Sequence, residues 1–231
     1  MMLRLRISLP DRPGSLGRVS RVLGALGADI LSVTVLDHGE GRVLDEFTVA
    51  WPNYPGRERL LTALSGIPGV GLEGAWATTA QPDAFADLDV LGHVTADPAR
   101  AMTTLVDALP GIFSADWAVV VGAPPDRAVH QASWTVPEAA TTNDINLPDI
   151  TPVRPIVFSA AGESDGPTHF AAVPMGRSGR TLYLARTTGP EFHRVELQRL
   201  TRVVEIVLAI VGDRQNQLRA DTELRSGDAG A

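Results

Sequence analysis

Between residues 3 and 78 the spacing of apolar residues switches between two and about 3.6, and few folds accommodate the order of those switches. Leu3, Leu5, Ile7 and Leu9 alternate with Arg4, Arg6 and Ser8, which predicts a strand with one buried face. Asp11-Arg12-Pro13-Gly14 breaks that pattern, with Pro13 suited to the first turn of a following helix, where its missing N–H costs nothing. Leu16, Val19, Val22, Leu23 and Leu26 then recur at helical spacing, and Gly27 is placed to end the helix as a left-handed cap. Strands over 30–36 and 43–51 flank a Gly-bearing turn at 37–41. A helix over 57–65 follows, and then a strand over 70–78 on which Val70, Leu72 and Trp76 share a face. The order β-α-β-β-α-β predicts a four-stranded antiparallel sheet of ferredoxin-like type with helices on one face. The other face then needs solvent or a partner.

The segment LPDRPGSLGRVSRVLGALGADI, within residues 3–78, resembles the start of an ACT domain, a small amino-acid-sensing module of metabolic regulators. Its most specific part is Asp11-Arg12-Pro13-Gly14-Ser15-Leu16, followed thirteen residues later by Asp29-Ile30. The resemblance implies an amino acid bound between two such domains, the loop coming from one and the start of the second strand from its neighbour. Physical chemistry agrees: free N–H groups at a helix start, beside a glycine that admits close approach, favour a carboxylate. Asp11 and Asp29 then face the ammonium; Asp11 acting only as a helix cap is the alternative. Family members often carry Asn at these two positions, and two acids here disfavour an anionic side chain on the ligand.

Residues 77–83 lack periodicity and read as a linker, which places an ACT-like domain at 1–79 and a second domain at 83–219. In the second half, helices are expected around 85–95 and from Asp97, as N-cap, to Pro110. Strands are expected at 115–122, 128–136, 168–174 and 180–187, with a long loop between Pro137 and Pro155 and a turn at 175–179. A terminal helix is expected from Glu191 to about Arg219, with 220–231 as a disordered tail. Ala115 to Val121, Ala171 to Met175, Leu182 to Arg186 and Phe192 to Leu197 together resemble a GAF-type sensory domain. That resemblance implies an antiparallel sheet flanked by helices, with a small-ligand pocket over the sheet. A second, diverged ACT unit is the runner-up. On the terminal helix Leu197, Leu200, Val204, Val207 and Val211 form a heptad seam, and Val203, Ile206, Leu208 and Ile210 add a second apolar side. A homodimer through the ACT sheet and through Leu197–Val211 is therefore expected.

Composition removes much of the remaining chemistry. The chain has no cysteine, and all 20 basic residues are Arg. Thiolate metal sites, Cys nucleophiles, Schiff-base chemistry and the phosphate-binding lysines of P-loops and kinases are excluded. A net charge of −7 with scattered arginines argues against a nucleic-acid surface. There is no leader-like start and no apolar run near the ~20 residues of a membrane span, so a cytoplasmic protein is expected. The histidines at 38, 93, 130, 169 and 193 show no metal-ligand spacing, and the glycines at 162, 166, 176 and 179 form no GxGxxG after a strand. No metal and no cofactor is expected. The leading expectation is a non-catalytic regulatory binder of an amino acid. The alternatives are an enzyme with its site around His169, Arg177 and His193, and an interaction module with a vestigial pocket.

Overall fold

A computed structural model of the chain describes residues 1–79, 83, 85–125, 127–137, 152–161 and 166–228, with the side chains of Arg177 and of 213–228 outside that description. Two compact units are present, one of residues 1–84 with 187–196, the other of 85–186 with 197–231.

The first unit runs β1 (Met2–Pro10), α1 (Ser15–Ala25), β2 (Asp29–Gly39), β3 (Arg42–Ala50), α2 (Arg57–Ser65) and β4 (Gly71–Thr78). Its sheet has the order β2-β3-β1-β4 with every neighbour antiparallel, the ferredoxin-like arrangement expected from the periodicity. Leu5, Ile7, Phe47 and Val49 meet Val19, Leu23, Leu60 and Leu64 in a fully buried layer between sheet and helices. α1 ends where Gly27 takes φ 87°, and the indole Nε1 of Trp51 donates to the Leu26 carbonyl at 3.0 Å.

Three local expectations are corrected. Pro13 precedes α1 instead of entering it, because Gly14, at φ 85°, is the residue that opens the helix. The β2–β3 strands continue through Asp37-His38-Gly39, so the reversal is confined to Glu40 and Gly41, both at positive φ as a two-residue hairpin turn demands. Trp76 does not share a face with Leu72. The register between β1 and β4 slips at Glu73, so that Ile7 pairs with Leu72 but Arg6 with Gly74 and Arg4 with Trp76. One extra residue inverts the side-chain alternation. Leu72 therefore packs against the helix-side core, while Trp76 stands with Arg4 and Arg6 on the opposite face.

That opposite face is also not left to solvent or a partner alone. Residues 187–196 belong to the first unit, and they lie across it. Gly189 sits so close to Trp76 that a Cβ there would fall 2.9 Å from the indole, and Pro190 lies over Gly74. Arg6, expected on a solvated side, is buried: it donates to Glu46 at 2.7 Å, to Glu196 at 2.9 Å and to the Glu191 carbonyl at 2.9 Å. Burial works against its charge, but Glu196 and Glu46 outweigh that penalty and the guanidinium holds its proton more firmly than a free one.

The second unit runs α3 (Ala86–Ala96), a 3-10 turn (Pro98–Arg100), α4 (Ala101–Phe113), β5 (Trp117–Val121), β6 (Val129–Ala132), β7 (Ile156–Ala161), β8 (Pro167–Pro174), a 3-10 turn (Gly176–Ser178) and β9 (Thr181–Arg186). Its antiparallel sheet has the order β6-β5-β9-β8-β7. α4 continues past Pro110, and Asp97 makes no side-chain cap. Strand β7 had no counterpart in the sequence reading, and β6 stops at Ala132, short of the expected Val136. Buried Arg186 donates to the carbonyls of Phe113 and Ser114 at 2.6 and 3.2 Å, satisfying carbonyls at the C-terminal end of α4 that lack helical partners. Residues 80–82 of the linker, residues 138–151 of the long loop and residues 229–231 lie outside the described residues.

The last helix, α5 (Arg194–Asp228), starts three residues later than expected and continues through most of the stretch read as a tail. Leu200, Val204 and Val207 of the seam and Val203 of the second apolar side are buried within the chain itself, whereas Ile206 is exposed. Arg199 of α5 reaches Asp87 of α3 through two hydrogen bonds of 2.7 Å and lies over the Phe113 ring of α4. Much of the seam is thus used for folding.

Candidate functional site

The loop between β1 and α1 is held from below by its own backbone. Asp11 N–H donates to the Gly41 carbonyl at 2.9 Å, tying the loop to the β2–β3 hairpin, and Ser15 N–H donates to Arg12 at 3.1 Å. Gly14 needs its positive φ to turn the chain into α1, and open space surrounds the position where a Cβ would stand. No side chain caps the helix, so Asp11 does not serve as the N-cap. Its carboxylate instead lies 2.9 Å from His38 Nε2 on the hairpin. Arg12, Pro13, Gly14 and Leu16 are exposed beside it, and Ser15 is buried against the sheet.

Asp29 and Ile30 are elsewhere. Asp29 pairs with Ala50, and Ala50 with Met2, so Asp29 stands at the start of β1 while Asp11 follows its end. The eight steps from Met2 to Pro10 span roughly 26 Å. Asp29 is exposed and Ile30 packs against the core. Within one copy the six loop residues form one cluster, and Asp29 and Ile30 form another at the far end of the same sheet.

Sequence reasoning passed over three features near these groups. The β2 edge of the sheet exposes Leu31, Val33 and Val35, an apolar edge signalled only by apolar residues at alternate positions. Asp37, expected in a turn, bonds to Arg194 and lies 3.6 Å from His193 Nε2. The Arg194 bond is the main reason its carboxyl titrates below the usual range. Burial is the main cause that lowers His193. Asp45 is 3 % exposed and lies in the covered layer of the sheet, where burial pushes its carboxyl up.

His193 belongs to the first unit and His169 to the second, and the side chain of Arg177 is outside the described residues. His169 Nδ1 does lie 2.7 Å from Ser159 Oγ, across the β7–β8 pair. No group of three His, Asp or Glu side chains suited to a metal ion occurs among the described residues. No helix among them is long and apolar enough to cross a membrane.

No curated protein matches the chain. Among solved structures, a formyltetrahydrofolate deformylase from Pseudomonas putida KT2440 matches at 18% identity and TM-score 0.29 over 42% of this chain, which spans 38% of the deformylase. An unknown protein from Galdieria sulphuraria matches at 11% identity and TM-score 0.29, over 89% of this chain and 90% of that one. The family model described as ACT domain matches residues 3–68, the stretch that holds β1 to α2, the loop at Gly14 and the edge strand β2.

Proposed function

We propose that this chain is a non-catalytic regulatory protein of the cytoplasm that binds an amino acid through its ACT region at an interface between two copies. The observation that carries the reading is the uncapped start of α1, whose N–H groups lie beside Gly14 with nothing over the glycine. The separation of Asp11 and Asp29 supports the second copy. Some 26 Å apart in one chain, they contribute to one site only if β2 of a partner brings its Asp29 to the loop. The apolar edge of β2 is the surface suited to that pairing.

A thermal-shift screen of the twenty amino acids tests this. At a hundred times its Kd a ligand stabilises by about 2.7 kcal/mol. Gly14→Val abolishes the shift by blocking backbone approach, and Asp29→Ala weakens it. No response from any amino acid, or an intact response in Gly14→Val, removes the reading.

The second unit supports a GAF-like reading and an alternative ligand. On one sheet face Phe158 and Phe170 stack at 5.1 Å, Trp117 meets Phe170 edge-on at 5.8 Å, and Tyr183 lies in the same cluster as Ala172 and Ala185. Rings beside small side chains in one buried cluster are the surroundings that suit a flat apolar ligand. Stabilisation by such a ligand that Gly14→Val leaves untouched assigns the binding to this unit. Turnover in a metabolite panel would favour the enzyme instead.

A further inference from the structure

The buried polar side chains of the first unit sort by register onto the two faces of its sheet. Arg6 pairs with Glu46 and Arg4 with Thr48, and these face the strap of residues 187–196. Ser15 and Asp45 lie on the helix side. Ser15 precedes Val19 and Leu23 at helical spacing, and both of those are core residues. Asp45 pairs with Ile7 on β1 and with Val35 on β2, so its side chain shares the helix-covered face with Ile7.

Asp45 is 3 % exposed, and its buried Oδ1 meets no hydrogen-bond partner. The other carboxylates buried in this unit, Glu46 and Glu196, both hold Arg6. A carboxylate taken out of water without a donor is costly, and such a group is uncommon unless something else completes it. An approach exists. Val35, next to Asp45 in the same row, is 57 % exposed, so the covered layer ends between the two. The carboxylate therefore lies one side chain in from solvent at the β2 edge. It stands at the sheet end where Gly14 opens α1, three residues or roughly 10 Å along β1 from Pro10.

We propose that Asp45 is the seat for the ligand's ammonium group, which enters past Val35 at the β2 edge and donates to the unpartnered Oδ1. This rests on the amino-acid reading above and gives the ammonium a seat within one copy: Asp11 is held by His38, and Asp29 reaches the loop only from a partner. A primary ammonium suits the place because it is compact and brings three donors as well as the opposite charge.

The test uses the full chain. Each amino acid that binds is compared with its α-hydroxy acid, which keeps the carboxylate and side chain but lacks the ammonium, by calorimetry on the wild type. The same amino acid is then titrated into Asp45→Asn, a change that keeps size and removes charge. The proposal expects the hydroxy acid to bind at least tenfold more weakly and Asp45→Asn to lose at least tenfold in affinity. The hydroxy acid binding as tightly as the amino acid overturns it without any variant having to fold. So does wild-type affinity in a folded Asp45→Asn; if Gly14→Val still abolishes binding, the amino-acid reading survives and only the Asp45 seat is lost. If no amino acid binds the wild type, both fall.

Discussion

Gly189→Ala tests whether the strap of residues 187–196 truly seats on the sheet. Two costs add at this position. Gly189 has φ 104°, a conformation in which an L-residue is strained by about 1–2 kcal/mol. The new Cβ would also stand 2.9 to 3.2 Å from three atoms of the Trp76 ring. Overfilling a packed site costs about 1–3 kcal/mol. Trp76 yields little, since it is buried with Arg6 5.6 Å over its ring. The sum is about 2–5 kcal/mol, limited by what it costs the strap to lift off. Gly14→Ala is the control: its φ of 85° carries the strain, but no atom lies within 4 Å. Urea unfolding followed by tryptophan fluorescence should therefore place Gly189→Ala at least about 1 kcal/mol below Gly14→Ala, on the magnitude of the clash alone. Equal losses in the two variants would show that the strap does not press on Trp76, and the covered face would have to be abandoned.

Asp45→Asn should stabilise the protein at neutral pH. Burial raises the Asp45 carboxyl above its unfolded value near 4, so the folded state holds that proton more tightly, and stability is lost as pH rises through and beyond that region. The gain over wild type should be present in urea titrations at pH 7 and fade as pH falls below about 4; a constant difference would refute the cause. His193, depressed by burial, acts in the opposite sense: the unfolded chain takes up its proton first, so stability should fall as pH drops below about 6.5. That slope should flatten in His193→Gln, as measured by melting between pH 8 and 5. Val33→Lys on the apolar β2 edge should leave the fold intact and shift a dimer to monomer in sedimentation; an unchanged sedimentation coefficient would place the interface elsewhere.

Where hydrophobic period alone decided the structure, the elements of the first unit were legible, and α2 falls at 57–65 as read. What escaped was information carried between segments. The bulge at Glu73 that turns Trp76 to the other face depends on the pairing with Arg6 and Ile7, which local sequence does not record. Strand β7 alternates Ile156, Phe158 and Ala160 inward, but Val157 and Ala161 outward are also apolar, so no amphipathic contrast announces it. Arg6 read as solvated because its partner Glu196 lies 190 residues away. The candidate loop was readable for a similar reason in reverse: Asp11 to Leu16 are contiguous. The gap between Asp11 and Asp29 was not, since only the register of β2 shows that their eighteen-residue separation spans the sheet.

The discontinuous first unit also sets an order of events during synthesis. The ribosome finishes β4 and then makes about 120 further residues before Glu196 emerges, which at 5–20 residues per second takes roughly 6–24 s. Throughout that interval Trp76 and the Arg6–Glu46 pair lack the segment that later covers them. A nascent chain stalled there would display a bare indole and a half-paired guanidinium on a finished sheet, a surface for chaperones or for a neighbouring chain on the same message. Premature stop codons anywhere between residues 79 and 187 would make that transient state permanent.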